Sequence, residues 1–518
     1  MESGETKGFQ VMRGEVQRHL DSLALMVLMG TIVSLTLILL GGGAQGAIAI
    51  GIVFMLWLGI VARPLWGFYL LLFIAILADD DLSLSQFSPW TDRLGFYVFE
   101  NWWKLLSPEG VRSFGFLIVN SIEILLLAIA AGLCLRMIGG RERPVVQKEF
   151  VFTFLFLGTL IGMLAYGLAT GGEVKPALWQ SRPLFHFGVL ALLTPQVLKT
   201  PAQVRGALWA LMIASVFKAL QIDWIFFIDQ GARFGEWRAI LGHEDSIFFV
   251  GAITLGVALA LYRAEAVQRR FLLFSLPFVL LALAVNLRRA GYAALALSLG
   301  LVPILLHGRR RVALKVVIPA LVLLALYGGL YWNRPDDTLG VPLHRLKSAF
   351  VAQVNSTAYF SNLYRLAENF NLRQTILHHP LGLGFGHPFE VHVPLADISS
   401  LFPYWQYFPH NEVLGMWVSL GTHGFLVLLI YFASIIVLAS HNIRRQTDPY
   451  LKAVSFLVLT AFACGLFVAT VDQYWNAPRT ALFLGTLAGI LSVLHRLRPA
   501  APVFRPEAAA EGSGIELP

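Results

Sequence analysis

The sequence predicts an all-α, polytopic integral membrane protein with about 12–14 transmembrane helices and one long loop on one side of the membrane. Of its 518 residues, 57% are hydrophobic and only 14% are charged, whereas soluble domains carry about 25% charged residues. The hydrophobic residues form runs that are long enough for a helix to cross the roughly 30 Å hydrocarbon core of a bilayer. The basic residues separate these runs and form no water-facing stripe, so nucleic acid is not a predicted partner.

Fourteen segments qualify as candidate membrane spans. They cover residues 22–41, 44–62, 64–78, 114–135, 149–169, 180–197, 204–226, 246–262, 271–286, 290–306, 313–332, 411–439, 450–471 and 480–495. The third and the tenth are short enough to be re-entrant, so the predicted number is a range and not a single value.

The distribution of lysine and arginine predicts the orientation of these spans. Basic clusters lie at one set of helix ends, within 136–148, 263–270, 309–315, 444–452 and 496–505. Cytoplasmic loops carry such an excess, so both termini are predicted to be cytoplasmic. The predicted organisation is a cytoplasmic segment 1–21, helices 1–11 over 22–332, a long periplasmic loop 333–410, helices 12–14 over 411–498 and a disordered cytoplasmic tail 499–518.

Three arginines lie at the opposite, outer helix ends, where few basic residues are expected. Arg182 opens the sixth span, and Arg288 and Arg289 connect the ninth span to the tenth. A guanidinium group donates two parallel hydrogen bonds and therefore suits a phosphate or diphosphate. Any one of these arginines could instead extend its charge to the lipid headgroups. The predicted position of all three on the side of the long loop favours a binding site.

The long loop contains a glycine-rich stretch, His379-Pro-Leu-Gly-Leu-Gly-Phe-Gly386. Glycines at this spacing can cradle a phosphate, but no strand and helix flank them as a dinucleotide fold requires. A turn that lets the backbone approach a neighbouring segment closely is the favoured interpretation.

Histidines in and after the loop allow two kinds of chemistry. His410 starts the twelfth span, where a neutral imidazole can accept a proton from a hydroxyl group. It could also simply bond to headgroups or to the backbone. Four further histidines, His378, His379, His387 and His392, lack the spacing of a known metal motif, so no metal site is predicted.

Two charged residues fall inside predicted spans at similar depth. Glu123 lies in the fourth span and Lys218 in the seventh. Opposite charges inside a membrane protein usually pair, so the sequence predicts a structural ion pair between these two residues.

From about Ala177 to Ala488, the chain resembles the bacterial O-antigen ligase and O-antigen polymerase superfamily. The stretch 379–386 looks like the His-Pro-Leu-x-Gly-x-Gly turn of that family. The pair His410-Asn411, followed by Leu414, Gly421 and Gly424, looks like the signature that carries the family's catalytic histidine. Members have about a dozen helices and one large periplasmic loop.

The resemblance implies a membrane glycosyltransferase of the bacterial inner membrane that is inverting and requires neither metal nor cofactor. The donor would be a glycan linked to undecaprenyl diphosphate, and the acceptor a saccharide or lipid A core. The reaction would be lipopolysaccharide ligation or polymerisation of a polysaccharide such as an exopolysaccharide. Membrane lipid would surround the site, and other proteins of envelope polysaccharide assembly are further candidate partners.

The resemblance also implies roles for individual residues. His410 would deprotonate the acceptor hydroxyl, and Arg182 would hold the diphosphate. A second family arginine usually appears as Ser-Arg-Gly, whereas this chain has Leu-Arg-Arg-Ala-Gly. Either Arg288 or Arg289 could therefore align with it. Arg365 could add a phosphate or sugar contact, or it could be a solvated or helix-pairing arginine.

A transporter or flippase of a lipid-linked oligosaccharide is the alternative function. It would explain the many helices and the charges within them. It would not explain the long one-sided loop, and it predicts inverted repeats that the sequence does not show. A non-catalytic membrane scaffold is a third hypothesis, and it predicts that His410 can be replaced without loss.

Overall fold

A computed structural model describes residues 23–497 except 24, 40–42, 80–88, 107–117, 230, 232–239, 306–309, 335–336, 338–339, 349–355 and 401. The predicted terminal segments 1–21 and 499–518 lie outside the described residues. The fold is helical, and no strand occurs in the described part of the chain beyond one isolated bridge between Asn101 and Asn120.

Nineteen helices, α1 to α19, follow one another along the described chain. In order they are Leu25–Leu39, Ala44–Ala62, Pro64–Leu77, Pro89–Phe99, Trp102–Leu106, Ser121–Ile138, Phe150–Ala169, Val174–Val197, Pro201–Trp224, His243–Tyr262, Ala266–Val285, Arg289–Gly300, Val302–Leu305, Arg310–Tyr331, Val341–Lys347, Thr357–His378, Glu412–Arg445, Pro449–Ala469 and Pro478–Arg496. A π-helical turn, Ile225–Asp229, extends α9.

The predicted fold class is confirmed. Among the described residues, nine helices are long and apolar enough to cross a membrane, and α1 and α3 are shorter apolar helices. Each of the fourteen predicted spans contains a helix. The two spans predicted to be short correspond to α3 with 14 residues and α12 with 12 residues.

The long loop packs against one end of the helical bundle. The backbone N–H of Glu173, just before α8, donates to the carbonyl of Gly386 over 2.8 Å. Two turns further, the Gln180 amide bridges the loop by donating to the Tyr407 carbonyl and accepting from the Gly386 N–H. The loop and the helix ends beneath it therefore form a continuous surface. The periplasmic assignment of this end stays a prediction.

The glycines of the loop allow backbone to pack directly on backbone. Gly382 and Gly384 have positive φ angles of 85° and 80°. A Cβ on Gly382 would lie 2.4 Å from the Gly421 nitrogen, and one on Gly384 would lie 2.4 Å from Gly167 Cα. Gly421 itself breaks the helical geometry of α17 with φ 65°. The favoured interpretation of the stretch, a turn for close backbone approach, agrees with these contacts.

The predicted ion pair between Glu123 and Lys218 is wrong. Glu123 contacts Arg182 and His186, and Lys218 Nζ lies 2.6 Å from Asp79. The physical reason is where α6 begins. Asn120 caps this helix in a reciprocal capping box with Glu123, so Glu123 lies in the first turn at the helix end and not deep in a span.

Lys218 instead belongs to a buried network of two cations and two anions. Arg479 forms a two-pronged ion pair with Asp245, with distances of 2.6 and 3.1 Å. Its Nη1 also lies 3.7 Å from the Asp79 carboxylate that binds Lys218. Lys218 and Asp245 are fully buried. The network ties four separate segments together, because Asp79 follows α3, Lys218 lies in α9, and Asp245 and Arg479 lie in the first turns of α10 and α19.

Replacing Lys218 by methionine should destabilise the folded protein by about 3–5 kcal/mol, because the two buried carboxylates would then face a single cation. The measurement is thermal unfolding of the purified protein in detergent. Lys148→Met, which changes an exposed lysine, is the matched control and should leave the unfolding temperature nearly unchanged. The double variant Asp79→Asn/Lys218→Met should recover part of the loss. Equal unfolding temperatures for Lys218→Met and the control would contradict the role of this network.

Candidate active site

His410 lies just before α17 and is held by a buried carboxylate from the long loop. The Glu368 side chain, on α16, is only 1% exposed. One of its oxygens accepts the backbone N–H of His410 at 2.9 Å, and the other lies 3.2 Å from His410 Nδ1. If Nδ1 carries the proton towards Glu368, the lone pair of Nε2 is free to accept a proton. This is the arrangement of an oriented general base.

Tyr364 packs against the same imidazole, one helical turn before Glu368. The two rings meet edge-on with their centroids 5.6 Å apart. The Tyr364 hydroxyl is buried, and it has no hydrogen-bond partner among the described residues. Burial and the nearby Glu368 carboxylate raise the pKa of this phenol well above its ordinary value. Tyr364 therefore stays protonated and can donate a hydrogen bond to a bound ligand.

Asp472, in the segment between α18 and α19, joins three basic groups. Its carboxylate lies 3.0 Å from His243 Nδ1 and 3.6 Å from Arg365 Nη2. Burial alone would raise the pKa of this carboxyl group, but His243, Arg365 and His410 offset that effect and hold the pKa well below its usual range. The carboxylate is therefore ionised at neutral pH.

The position of Asp472 depends on Glu412 in the first turn of α17. The buried Glu412 carboxylate accepts backbone N–H groups from Tyr474, Trp475 and Asn476 over 2.5–2.7 Å. Three donors on one carboxylate fix the course of this segment. Asp472 is thereby held against the residues that the long loop and α10 contribute.

Arg288 and Arg289 have different environments. Nε and Nη2 of Arg288 donate to the Leu241 carbonyl at 3.0 and 2.7 Å, and Nη1 contacts His243 Nε2 at 2.9 Å. Because a guanidinium only donates, His243 Nε2 must accept, which leaves its proton on Nδ1 facing Asp472. Arg288 thus helps to position His243 and the Asp472 carboxylate.

Arg289 has a buried nitrogen with no protein acceptor. Its Nη1 lacks a hydrogen-bond partner within the described part of the chain, and the same holds for Nε of Arg365. Arg289 lies within the electrostatic influence of Arg365, Arg345 and Asp472. Arg289, Arg365 and Arg345 thus place three like charges near one another, with the Asp472 carboxylate among them. Such a cluster is unfavourable unless an anion binds to it.

Arg182 contacts other residues. Its Nη1 donates to Asn101, its Nη2 donates to the Ile118 carbonyl, and its Nε lies 2.9 Å from Glu123. Each of the three guanidinium nitrogens thus has a protein acceptor. The described contacts do not join Arg182 to the His410 cluster, and its predicted role in binding a diphosphate stays a prediction.

The structure brings His410, Arg365, Arg288 and Arg289 to one end of the bundle and adds three residues that sequence reasoning missed. These are His243, Glu368 and Asp472. Glu368 follows Arg365 by three residues, a spacing that places both on neighbouring positions of a helix. For His243 and Asp472, which lie in short segments between spans, the only signal was their position on the same predicted side of the membrane as the long loop.

One family model matches the chain. The model is described as O-antigen ligase and covers residues 271–429. The matched range contains Arg288, Arg289, Arg365 and His410, whereas Arg182 lies outside it. A search of curated proteins finds no match to this chain. The match supports a membrane enzyme of glycosyl transfer. Residues 271–429 of the chain are therefore similar to the O-antigen ligase family, in agreement with the resemblance to the O-antigen ligase and polymerase superfamily that the sequence motifs show.

Proposed function

We propose that this protein transfers a glycan from undecaprenyl diphosphate to a saccharide hydroxyl at the periplasmic face of the bacterial inner membrane. The observation that supports the proposal best is the coincidence of two features at one place. Buried guanidinium nitrogens of Arg289 and Arg365 lack acceptors among the residues that the structure describes. An imidazole oriented by a buried carboxylate lies within the same cluster. A diphosphate and a hydroxyl group are the substrates that such groups suit.

In the proposed reaction, His410 acts as the general base. Its Nε2 takes the proton of the acceptor hydroxyl as the oxygen attacks the anomeric carbon of the donor sugar. Glu368 holds Nδ1–H and stabilises the imidazolium that forms. Attack from the side opposite the leaving diphosphate inverts the anomeric configuration. One base is sufficient, because a diphosphate leaves without a proton at neutral pH.

Arg289 and Arg365 bind the diphosphate in this proposal. Negative charge grows on the bridging oxygen as the glycosidic bond breaks, and guanidinium groups fixed at that position stabilise it. The Tyr364 hydroxyl is a further donor beside His410. Neither the base nor these donors require a metal ion.

Arg288 and Arg182 are positioning residues in the same proposal. Arg288 acts through His243 and Asp472, and Asp472 in turn orients Arg365. Arg182 fixes the segments around Asn101 and Ile118 beside α8. If Arg182 does bind the diphosphate, it must first release one of its present acceptors.

Reconstitution tests the proposed function directly. The purified protein is placed in liposomes that contain undecaprenyl diphosphate linked to a radiolabelled oligosaccharide, with or without lipid A core. We expect the protein to release undecaprenyl diphosphate and to extend an acceptor. Label on lipid A core would identify a ligase, and longer lipid-linked chains would identify a polymerase. Passage of the intact donor across the bilayer without release of undecaprenyl diphosphate would instead support a transporter and reject the enzyme.

A further inference from the structure

A second cluster of ionisable side chains lies in the long loop, outside the residues proposed for transfer. Glu390 is surrounded by three imidazoles. His378 Nδ1 and His392 Nε2 lie 3.2 and 3.1 Å from its Oε2, and His379 Nε2 lies 2.8 Å from its Oε1. The rings of His378 and His392 are 5.0 Å apart. The sequence predicted no metal site here, because these residues lack the spacing of a known motif.

Side-chain hydrogen bonds hold the backbone around the cluster in place without an ion. The buried Asn371 side chain accepts the N–H groups of His392 and Val393 and donates to the Val393 carbonyl. The buried Thr375 hydroxyl accepts the N–H of Glu390. Both residues lie on α16, one or two turns before His378. The segment 390–393 is therefore held against the end of the helix that carries the first two histidines.

Two of the three spacings between the ligand atoms are close to those around a small transition-metal ion. His378 Nδ1, Glu390 Oε2 and His392 Nε2 all lie within 4.8 Å of one another. Zinc bonds of about 2.0–2.2 Å in a tetrahedral arrangement require ligand atoms roughly 3.3–3.5 Å apart. The two measured distances to Glu390 Oε2, 3.1 and 3.2 Å, are close to that value. Imidazole nitrogens and a carboxylate oxygen are also the ligand types that zinc-class ions accept in proteins.

We propose that His378, Glu390 and His392 bind a divalent transition-metal ion of the zinc class. His379 holds the second Glu390 oxygen and orients the carboxylate, as outer partners of metal ligands do. The four side chains are 31–55% exposed, so an ion can enter and water can complete its coordination.

The bound ion would join the C-terminal end of α16, at His378, to the segment 390–393. The same helix carries Tyr364, Arg365 and Glu368 at the proposed transfer site. Metal binding would therefore reduce the freedom of the helix that orients His410. The ion takes no part in the chemistry, and the proposal holds whether or not the protein is a glycosyltransferase.

The test is binding of Zn²⁺ to the full-length protein, purified without a histidine tag and stripped with a chelator. Calorimetric titration should show one equivalent bound, and zinc should raise the unfolding temperature. His392→Ala and His378→Gln should each weaken binding at least about tenfold. His344→Ala, at an exposed histidine of the same loop, is the matched control and should bind as the wild type does.

Two results would overturn the proposal. One is the absence of zinc binding by the stripped wild-type protein at micromolar concentrations. The other is binding that persists unchanged in both His392→Ala and His378→Gln, which would place the ion elsewhere. His378 has the most exposed side chain of the cluster, so its substitution tests the site even if His392→Ala fails to fold. Neither measurement depends on glycan transfer.

Discussion

Alanine in place of His410 should lower the rate of glycan transfer by about 10²–10⁴-fold, the usual contribution of a general base. The protein should still insert and unfold at nearly the wild-type temperature, because the His410 side chain is about one-third exposed. The backbone N–H that binds Glu368 is retained in the variant. The measurement is kcat for transfer in liposomes, combined with thermal unfolding of the same preparation.

Two further variants test this prediction, one as a control and one at the carboxylate that orients His410. His423→Ala changes an exposed histidine on α17, the helix that begins two residues after His410, and should retain full activity. Glu368→Gln should lower kcat with little change in KM for the donor and should alter the pH profile. A glutamine amide can present its N–H₂ to the imidazole and favour the wrong tautomer. Near-normal transfer by His410→Ala would exclude it as the base and would favour a headgroup or backbone contact.

Arg289→Ala should lower transfer by about 10²–10³-fold, because it removes a donor aimed at charge that develops in the transition state. Within the described ranges, the buried Nη1 of Arg289 has no acceptor, whereas Arg288 bonds to Leu241 and His243. Arg289→Lys should remain strongly impaired, since a single ammonium cannot replace the two-pronged guanidinium. The measurements are kcat and KM for the lipid-linked donor.

Comparing Arg288→Ala with Arg289→Ala separates a structural role from a role in binding the diphosphate. It removes the bonds to the Leu241 carbonyl and to His243, so it should lower the unfolding temperature as well as activity. Arg289→Ala should leave the unfolding temperature unchanged or raise it, because one member of a like-charged cluster is gone. If Arg289→Ala reduced stability and left kcat unchanged, Arg289 would be a structural residue and the diphosphate site would lie elsewhere.

The sequence predicts the structure correctly where a single segment decides the outcome. A run of about 20 apolar residues must form a helix in lipid, because every backbone polar group has to be satisfied within the segment. Each predicted span therefore contains a helix. The glycine turn at 382–386 was also predicted from its own segment, because the spacing of its glycines indicated close backbone packing.

Pairing between segments was not predictable in the same way. Glu123 and Lys218 were expected to meet because each was judged by its depth in a predicted span. A shift in the start of α6 moved Glu123 to the helix end, and Lys218 found Asp79 instead. Two charged residues at the same depth in the membrane could pair, but their depth does not show whether their helices are neighbours.

By itself, the sequence determined that this chain is a helical membrane protein with a long loop, and it identified His410 and the arginines as candidates for chemistry. Only the tertiary structure decided that Glu368 orients His410 and that Asp472 joins His243 to Arg365. It also showed that, in the part of the chain described, Arg289 has a buried nitrogen without an acceptor. The physical reason is that these interactions act between different parts of the chain. Hydrophobicity acts within one segment, whereas hydrogen bonds and ion pairs act over about 3 Å between segments far apart in the chain.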